Sequence, residues 1–181
     1  MEHQFLVAEE LLKDFPLAEG MNVGECGVSG SGAMMLAMST AVGPDGKVFA
    51  FDVNKHVLSA LASQARLQGR RNIIPTWTNL EIVGGTSSVA DHQLDAAVAV
   101  HLFHESTHHI ELLTELRRMV KRSAPVLIVD WTKESTHPLA PPSPQRLSAG
   151  YLSQLASDHG FRIEKNFTPD GDHWGMILTT T

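Results

Sequence analysis

The residues of this chain best suited to chemistry begin with a glycine-rich turn at 27–32, Gly-Val-Ser-Gly-Ser-Gly. Glycines let a ligand approach the backbone, and the start of a following helix supplies unpaired N–H groups. Asp52 comes about twenty residues after the last of these glycines, where a carboxylate can accept both hydroxyls of a ribose. Together they predict a nucleoside site, and the alternative is a tight turn followed by a helix-capping aspartate.

A carboxylate at the end of the preceding apolar run, Glu25, narrows the choice of nucleoside. Negative charge there repels phosphate and favours a cationic or amine-bearing ligand. The alternative for Glu25 is a solvent-facing strand end. An NAD-dependent reductase would also use the glycine turn and Asp52, but the only tyrosine, Tyr151, has no lysine four residues later to complete a Tyr-x-x-x-Lys pair.

Histidines are concentrated in one short segment, at positions 101, 104, 108 and 109. Helical spacing would bring the first three near one face, but no carboxylate or cysteine completes a tight ligand set. We therefore predict no metal site. An exposed helix start accounts for His108 and His109.

Other polar and aromatic side chains follow the later apolar runs, at the edge where α/β folds place their ligands. We expect a substrate pocket there, although core packing, turn formation or a surface ion pair would explain each residue separately. The candidates are Asp130, Trp131, Glu134, Arg146, His173 and Trp174.

The elements that must position these residues alternate short apolar runs with helical periods, which predicts a parallel α/β sheet. Only a short turn, 168–172, separates the last two predicted strands, so we expect them to form an antiparallel hairpin at the sheet edge. Asn54 is expected to cap the helix that ends near Gly69. The predicted strands are 21–25, 47–51, 72–77, 94–100, 126–129, 162–167 and 174–179.

Predicted helices fill the intervals between the strands, from an opening helix with Phe5 and Ala8 inward to a last one over 148–159. The helix after the histidines carries a basic cluster that we interpret as a solvated face. Its expected inward residues are Ile110, Leu113, Leu116 and Val120, and its basic residues are Arg117, Arg118, Lys121 and Arg122.

Bulk composition limits the possible classes of protein. A chain of 181 residues fits one domain, and 43% hydrophobic with 19% charged residues is ordinary for a globular protein. A net charge of -6 argues against a nucleic-acid partner. A lone cysteine, Cys26, allows no internal disulfide, and the N-terminus resembles neither a signal peptide nor a membrane span, so we expect a cytoplasmic protein.

From about Met21 to its C-terminus the chain resembles the class I S-adenosylmethionine-dependent methyltransferases, and distantly those of the ubiquinone/menaquinone C-methylating type. The glycine turn has one extra residue relative to the family loop, so either Glu25 or Cys26 fills its acidic position; we take Glu25. The matching segments are GECGVSGSG at 24–32, VGPDGKVFAFDVNKHVL at 42–58, NIIPTWTNLE at 72–81, LDAAVAVHLFHEST at 94–107, VLIVDWTKE at 126–134 and DHWGMIL at 172–178.

The resemblance implies a Rossmann-like α/β fold: a seven-stranded, mostly parallel sheet with an antiparallel C-terminal hairpin strand and helices on both faces. It implies one domain over 1–181, with an N-terminal helix (1–19), a cofactor-binding core (21–135) and a substrate-side loop, helix and hairpin (136–181).

The resemblance also implies S-adenosylmethionine as the cofactor. The glycines would pack on its methionine portion, Asp52 would hold the ribose, and Val53 and Leu80 would enclose the adenine. Asn79 stands where the family more often has aspartate. The implied cofactor residues are Glu25, Gly27, Ser29, Gly30, Gly32, Asp52, Val53, Asn79, Leu80 and His101.

For catalysis, the resemblance places His104 beside the transferable methyl group, where a neutral imidazole could take a proton from a small-molecule acceptor. Asp130 and His173 are further catalytic candidates. Alignment alone can account for much of a methyl transfer, so a base is optional. A non-catalytic module that only binds S-adenosylmethionine is the alternative.

Overall fold

A computed structural model describes residues 6–28 and 31–181 of the chain. It has seven strands and five α-helices in alternation through most of its length. The strands are β1 (Asn22–Cys26), β2 (Lys47–Asp52), β3 (Ile73–Trp77), β4 (Ala96–Val100), β5 (Pro125–Trp131), β6 (Phe161–Phe167) and β7 (His173–Thr180). The helices are α1 (Ala8–Leu12), α2 (Ala33–Val42), α3 (Lys55–Leu67), α4 (His109–Met119) and α5 (Ala149–Asp158).

The seven strands form one sheet in the order β3-β2-β1-β4-β5-β7-β6. The first five strands in this order are parallel to one another, whereas β7 pairs antiparallel with both β5 and β6. The predicted fold class, including the antiparallel C-terminal hairpin, is confirmed. The strand order reverses at β1, and ligands of open α/β sheets bind at the carboxyl ends of the strands around such a point.

Residues alternate along the central strands between two apolar cores, one on each face of the sheet. In β4, for example, Ala97 and Ala99 belong to the core that packs α4 and α5, whereas Val98 belongs to the core that packs α1, α2 and α3. Every residue of β4 is buried, as expected for a parallel strand covered on both faces. The helices therefore shield both sides of the sheet.

Local signals in the sequence explain where α3 begins and ends. The Asn54 side chain accepts hydrogen bonds from the backbone N–H groups of His56 and Val57, as an N-cap residue does. Gly69 has φ of +68°, which suits a residue just beyond a helix. Both predicted boundaries of this helix are confirmed.

The buried face of α4 differs from the predicted one. Ile110 is 47% exposed, and Glu115 lies on the buried face beside Leu112 and Leu116. The Glu115 carboxylate accepts hydrogen bonds from the backbone N–H groups of Gly84 and Thr86 and from Arg118. These partners compensate the charge of Glu115, so a glutamate can occupy the buried face of the helix, where helical spacing alone predicts apolar residues.

Arg118 also departs from the prediction of a solvated basic face. Its guanidinium bonds Glu115, Asp91 and the carbonyl oxygens of Val89 and Thr86. Arg118 and Glu115 thereby hold the long segment between β3 and β4 against α4. Burial alone would raise the pKa of Glu115, but Arg118 and the backbone donors outweigh it and hold the pKa near 2.

None of the helices in the described ranges combines the length and the apolar character needed to cross a bilayer.

Candidate active site

Two cavities lie at the carboxyl edge of the sheet, next to one another. We call the first, of about 390 Å³, the acidic cleft; its lining includes Gly27, Asp52, Val53, Asn79, Leu80 and Glu81. We call the second, of about 260 Å³, the histidine pocket; it is formed by His101, His104, Trp131, His137 and His173, with Leu6, Leu139 and Glu105. Glu105 lines both cavities, so they meet at the short 3-10 helix Phe103–Glu105.

The glycine turn at the end of β1 forms one wall of the acidic cleft. Gly27 has φ of +73°, which strains any other residue, and a Cβ added there would lie 2.9 Å from Leu102 Cδ1, so the leucine side chain would have to shift. Gly32 has φ of +66° and similarly approaches Gln64 and Leu61. Ser29 and Gly30 lie outside the described residues.

Asp52 lies at the end of β2 and anchors the glycine turn. Its Oδ2 accepts a hydrogen bond from the Val28 backbone N–H at 3.0 Å, and its Oδ1 accepts one from Asn54 N at 2.6 Å. Each carboxylate oxygen has a second lone pair, so the group that fixes the turn can also accept from a ligand in the cleft.

The opposite wall comes from the end of β2 and the loop after β3. Val53 is 59% exposed and Leu80 only 6%, so the first offers a free apolar surface and the second a packed one. The Asn79 side-chain oxygen accepts from the Glu81 backbone N–H at 2.9 Å, which fixes the amide at the cleft.

The electrostatics of the acidic cleft favour a positively charged ligand. Three carboxylates line it, those of Asp52, Glu81 and Glu105, and the described lining residues include no lysine, arginine or histidine. Among the charged side chains that are described there, a pyrophosphate would meet only carboxylates, whereas a ligand with sulfonium and ammonium groups meets opposite charge. The residues present therefore fit an adenosyl sulfonium better than a dinucleotide.

Glu25 lies in β1 and is fully buried, as is its neighbour Cys26. It is not among the described residues that line the acidic cleft. Burial, and then the charge of Glu25, raises the pKa of the Cys26 thiol well above its usual range, so this cysteine stays protonated.

Aromatic rings pack closely together in the histidine pocket. The rings of His101 and Trp131 stack with centroids 4.6 Å apart and planes 10° apart. The His173 ring lies 4.1 Å from Trp131 and 4.9 Å from His101, and His137 lies 5.3 Å from Trp131. Trp131, at the end of β5, is therefore the centre of the cluster.

His104 and Asp130 form a hydrogen-bonded imidazole–carboxylate pair in the pocket. The Asp130 carboxylate is fully buried, and its Oδ1 accepts from His104 Nδ1 at 2.8 Å while its Oδ2 accepts from His104 N at 3.0 Å. A carboxylate only accepts hydrogen bonds, so Nδ1 carries the proton and the neutral ring has its lone pair on Nε2.

His101 and His173 have a different environment. Burial, reinforced by the nearby His173, lowers the pKa of His101 to about 4. His101 also adopts a left-handed backbone conformation, with φ of +59°, which is strained for a side chain of this size. Burial likewise lowers the pKa of His173, against the opposing effect of Asp170. Both rings are therefore neutral at pH 7.

The remaining predicted pocket residues lie beside the two cavities rather than in their lining. The Arg146 guanidinium donates to the carbonyl oxygens of Pro141, Lys133 and Ser135, so it holds the Pro-rich loop together. Trp174 donates from Nε1 to the Trp131 and Leu147 carbonyl oxygens. Glu134 is exposed.

Several residues of the site were missed by the sequence analysis. Asp170 accepts from His173 Nδ1 at 2.9 and 3.0 Å, and Glu105 joins the two cavities. His137 was also missed. The spacing Asp-x-x-His at 170–173 is a usable signal for the first, whereas only the folded loops bring His137 and Glu105 to the site. Within the described ranges, no group of three or more histidine, cysteine, aspartate and glutamate side chains is arranged to hold a metal ion.

Comparison with known proteins identifies the family. A family model described as "Methyltransferase domain" matches residues 25–128, which is more than half of the chain. The chain belongs to this methyltransferase family. The resemblance to class I S-adenosylmethionine-dependent methyltransferases, and with it the expected cofactor, is confirmed. No match is found among the curated proteins.

Solved structures with the same fold include several methyltransferases. A SAM dependent methyltransferase from Aquifex aeolicus is 26% identical, with a TM-score of 0.86 over 96% of this methyltransferase chain and 89% of the other. Aeropyrum pernix fibrillarin with natively bound S-adenosyl-L-methionine is 18% identical, with a TM-score of 0.73 over 96% and 72%. The cyclase SpnF is 11% identical, with a TM-score of 0.81 over 96% and 79%. The last two likenesses concern the fold alone.

Proposed function

We propose that this chain transfers a methyl group from S-adenosylmethionine to a small-molecule acceptor, with His104 as the base that takes the acceptor's proton. The observation that carries the proposal is the His104–Asp130 pair, which lies in a pocket adjoining the acidic cleft. The limited volume of that pocket, about 260 Å³, supports a small acceptor, since pockets that bind drug-sized ligands measure roughly 300–1,000 Å³.

The acidic cleft is the proposed cofactor site. Asp52 would hold the ribose hydroxyls, Val53 and Leu80 would enclose the adenine, and Asn79 would contact its amine. Gly27 would allow the methionine portion to lie against the backbone. Glu81 and Glu105 supply negative charge that favours the ammonium and sulfonium groups. When bound, S-adenosylmethionine supplies a methyl group on a sulfonium that leaves as a neutral thioether.

The histidine pocket is the proposed acceptor site. Asp130 fixes the tautomer of His104 and stabilises the imidazolium that forms when Nε2 receives a proton. An O–H or N–H group of the acceptor would lose its proton to Nε2 as the same atom forms its bond to the methyl carbon. The surrounding aromatic rings give this site a largely apolar wall.

Calorimetry tests the cofactor part of the proposal. S-adenosylmethionine and S-adenosylhomocysteine should bind, and NAD should bind much more weakly because the acidic cleft repels pyrophosphate. At a hundredfold excess over the dissociation constant, either adenosyl ligand should stabilise the fold by about 2.7 kcal/mol. Tighter binding of NAD would contradict the proposal.

A metabolite screen for S-adenosylhomocysteine release tests the catalytic part. With an acceptor found, His104→Ala should slow methyl transfer by about 10²-fold or more while leaving cofactor affinity nearly unchanged. His108→Ala is the matched control, since His108 is an exposed histidine of the same segment that lines neither cavity. Normal turnover of His104→Ala would exclude His104 as the base and leave alignment as the main source of catalysis.

A further inference from the structure

The chemical character of the acceptor follows from groups in the histidine pocket that methyl transfer itself does not use. His173 donates its Nδ1 proton to Asp170, so the lone pair of the neutral ring is on Nε2. That Nε2 is buried and has no hydrogen-bond partner within the described ranges. His173 is only 2% exposed. A buried acceptor without a donor costs free energy unless a ligand supplies one.

His173–Asp170 thus repeats the arrangement of His104–Asp130 in the same pocket. In both pairs a carboxylate binds Nδ1, at 2.8 Å for His104 and at 2.9 Å for His173, and leaves Nε2 to accept. The pocket therefore presents two imidazole acceptors fixed by carboxylates, and His101 Nε2, in the same pocket, is also buried and without a hydrogen-bond partner within the described ranges. One pair is proposed to remove a proton, and the other is available to bind a second donor group.

The charged residues around the histidine pocket also limit the charge that the acceptor can carry. No lysine or arginine is among the described residues that line the histidine pocket, and Glu105 places a carboxylate at its edge. Arg146 lies nearby but donates to the carbonyl oxygens of its own loop. An anionic acceptor would therefore lose its hydration without gaining a counter-charge from the described lining side chains.

We propose that the acceptor is a small phenol- or aniline-type molecule with no anionic group, and that His173 Nε2 accepts a hydrogen bond from its second hydroxyl or amine. This inference rests on the proposed function. His101, Trp131 and Leu139 contact the aromatic body, His104 takes the proton of the group that is methylated, and His173 orients the molecule. His173 is a positioning residue for this reaction.

Binding of three probes tests the inference without requiring turnover. Catechol carries two donors, veratrole is the same ring with both oxygens methylated, and 2,3-dihydroxybenzoate adds a carboxylate to catechol. Binding is measured by calorimetry with and without S-adenosylhomocysteine. Catechol should bind about tenfold or more tightly than veratrole, and more tightly than 2,3-dihydroxybenzoate. Equal binding of catechol and veratrole, preference for the anion, or no binding of catechol at millimolar concentration would overturn the inference.

Variants of His173 test whether the preference for catechol over veratrole depends on the Nε2 atom of this residue. His173→Phe keeps a ring but removes the acceptor, so the advantage of catechol over veratrole should shrink to the part that His104 supplies, whereas His173→Gln, which restores an acceptor oxygen, should recover part of the loss. Undiminished discrimination in a folded His173→Phe protein would overturn the inference, and the probe comparison on the unaltered chain decides it if that variant does not fold. Failure of S-adenosylhomocysteine to bind would instead contradict the proposed cofactor site, since the probe comparison is also made without it.

Discussion

The buried carboxylate of Asp130 holds His104 by two hydrogen bonds, one to the ring Nδ1 at 2.8 Å and one to the backbone N–H at 3.0 Å. The same carboxylate also accepts from the backbone N–H of Trp131 at 2.8 Å. The end of β5 therefore fixes both the position and the tautomer of a side chain that follows β4.

Asp130→Asn tests this arrangement. An asparagine must turn its NH2 group toward one of these three donors, so we expect a loss of stability of about 1–3 kcal/mol in urea unfolding. Once an acceptor is available, methyl transfer should slow by about 10²-fold because the His104 tautomer is no longer fixed. A shifted pH dependence of kcat/KM should accompany the loss. An unchanged rate and pH profile would show that Asp130 only supports the fold.

Asp52→Ala should weaken binding of S-adenosylmethionine by roughly 1.5–3 kcal/mol, because it removes a charged acceptor from buried hydroxyl groups. Stability should fall by about 1 kcal/mol, since Val28 N and Asn54 N lose their partner. Asp45→Ala is the matched control, because Asp45 is exposed and precedes β2 at the opposite edge of the sheet. Equal cofactor affinity in a folded Asp52→Ala protein would limit Asp52 to anchoring the glycine turn.

Gly27→Ala separates backbone strain from crowding of the cleft. Replacing a glycine that has φ near +70° with alanine lowers the free energy of unfolding by about 1–2 kcal/mol. Gly69→Ala should have the same cost, because Gly69 has φ of +68°. At Gly69 a new Cβ meets nothing within 4 Å, whereas at Gly27 it displaces Leu102, which lines the acidic cleft. We therefore expect similar melting temperatures for the two variants but reduced cofactor affinity only for Gly27→Ala. Equal affinities would show that the cleft tolerates a side chain there.

Stability should depend on the protonation of His101. Burial lowers its pKa from 6.5 to about 4 in the folded chain, so between these pH values the unfolded state binds more protons. The free energy of unfolding should then fall as pH decreases through this interval, by up to about 1.4 kcal/mol per pH unit for one histidine. Urea unfolding from neutral pH to about 4 measures the slope. His101→Phe, which keeps a planar ring at the same strained backbone, should give a shallower slope, and an equal slope would contradict this assignment.

Much of the fold is determined by the sequence itself. The apolar residues of β4 alternate between the two cores on the faces of the sheet, and Asn54 and Gly69 mark the two ends of α3. Each of these features depends on residues that are close together in the chain. The glycine turn, the next strand and Asp52 follow one another in the chain, and this local order predicted a ligand site at the carboxyl edge of the sheet. Periodicity, capping and turn chemistry act locally, so they can be read without knowing how the strands are ordered.

The tertiary structure decided which side chains meet at that edge. His104 and Asp130 are separated by 26 residues, and they meet because β4 and β5 are adjacent parallel strands. It also decided that Glu115 is buried with Arg118, that Arg146 binds carbonyl oxygens, and that His173 lines the histidine pocket with Asp170 bound to its Nδ1. Burial of a polar group depends on partners supplied by distant segments. A periodic pattern in one segment does not contain that information.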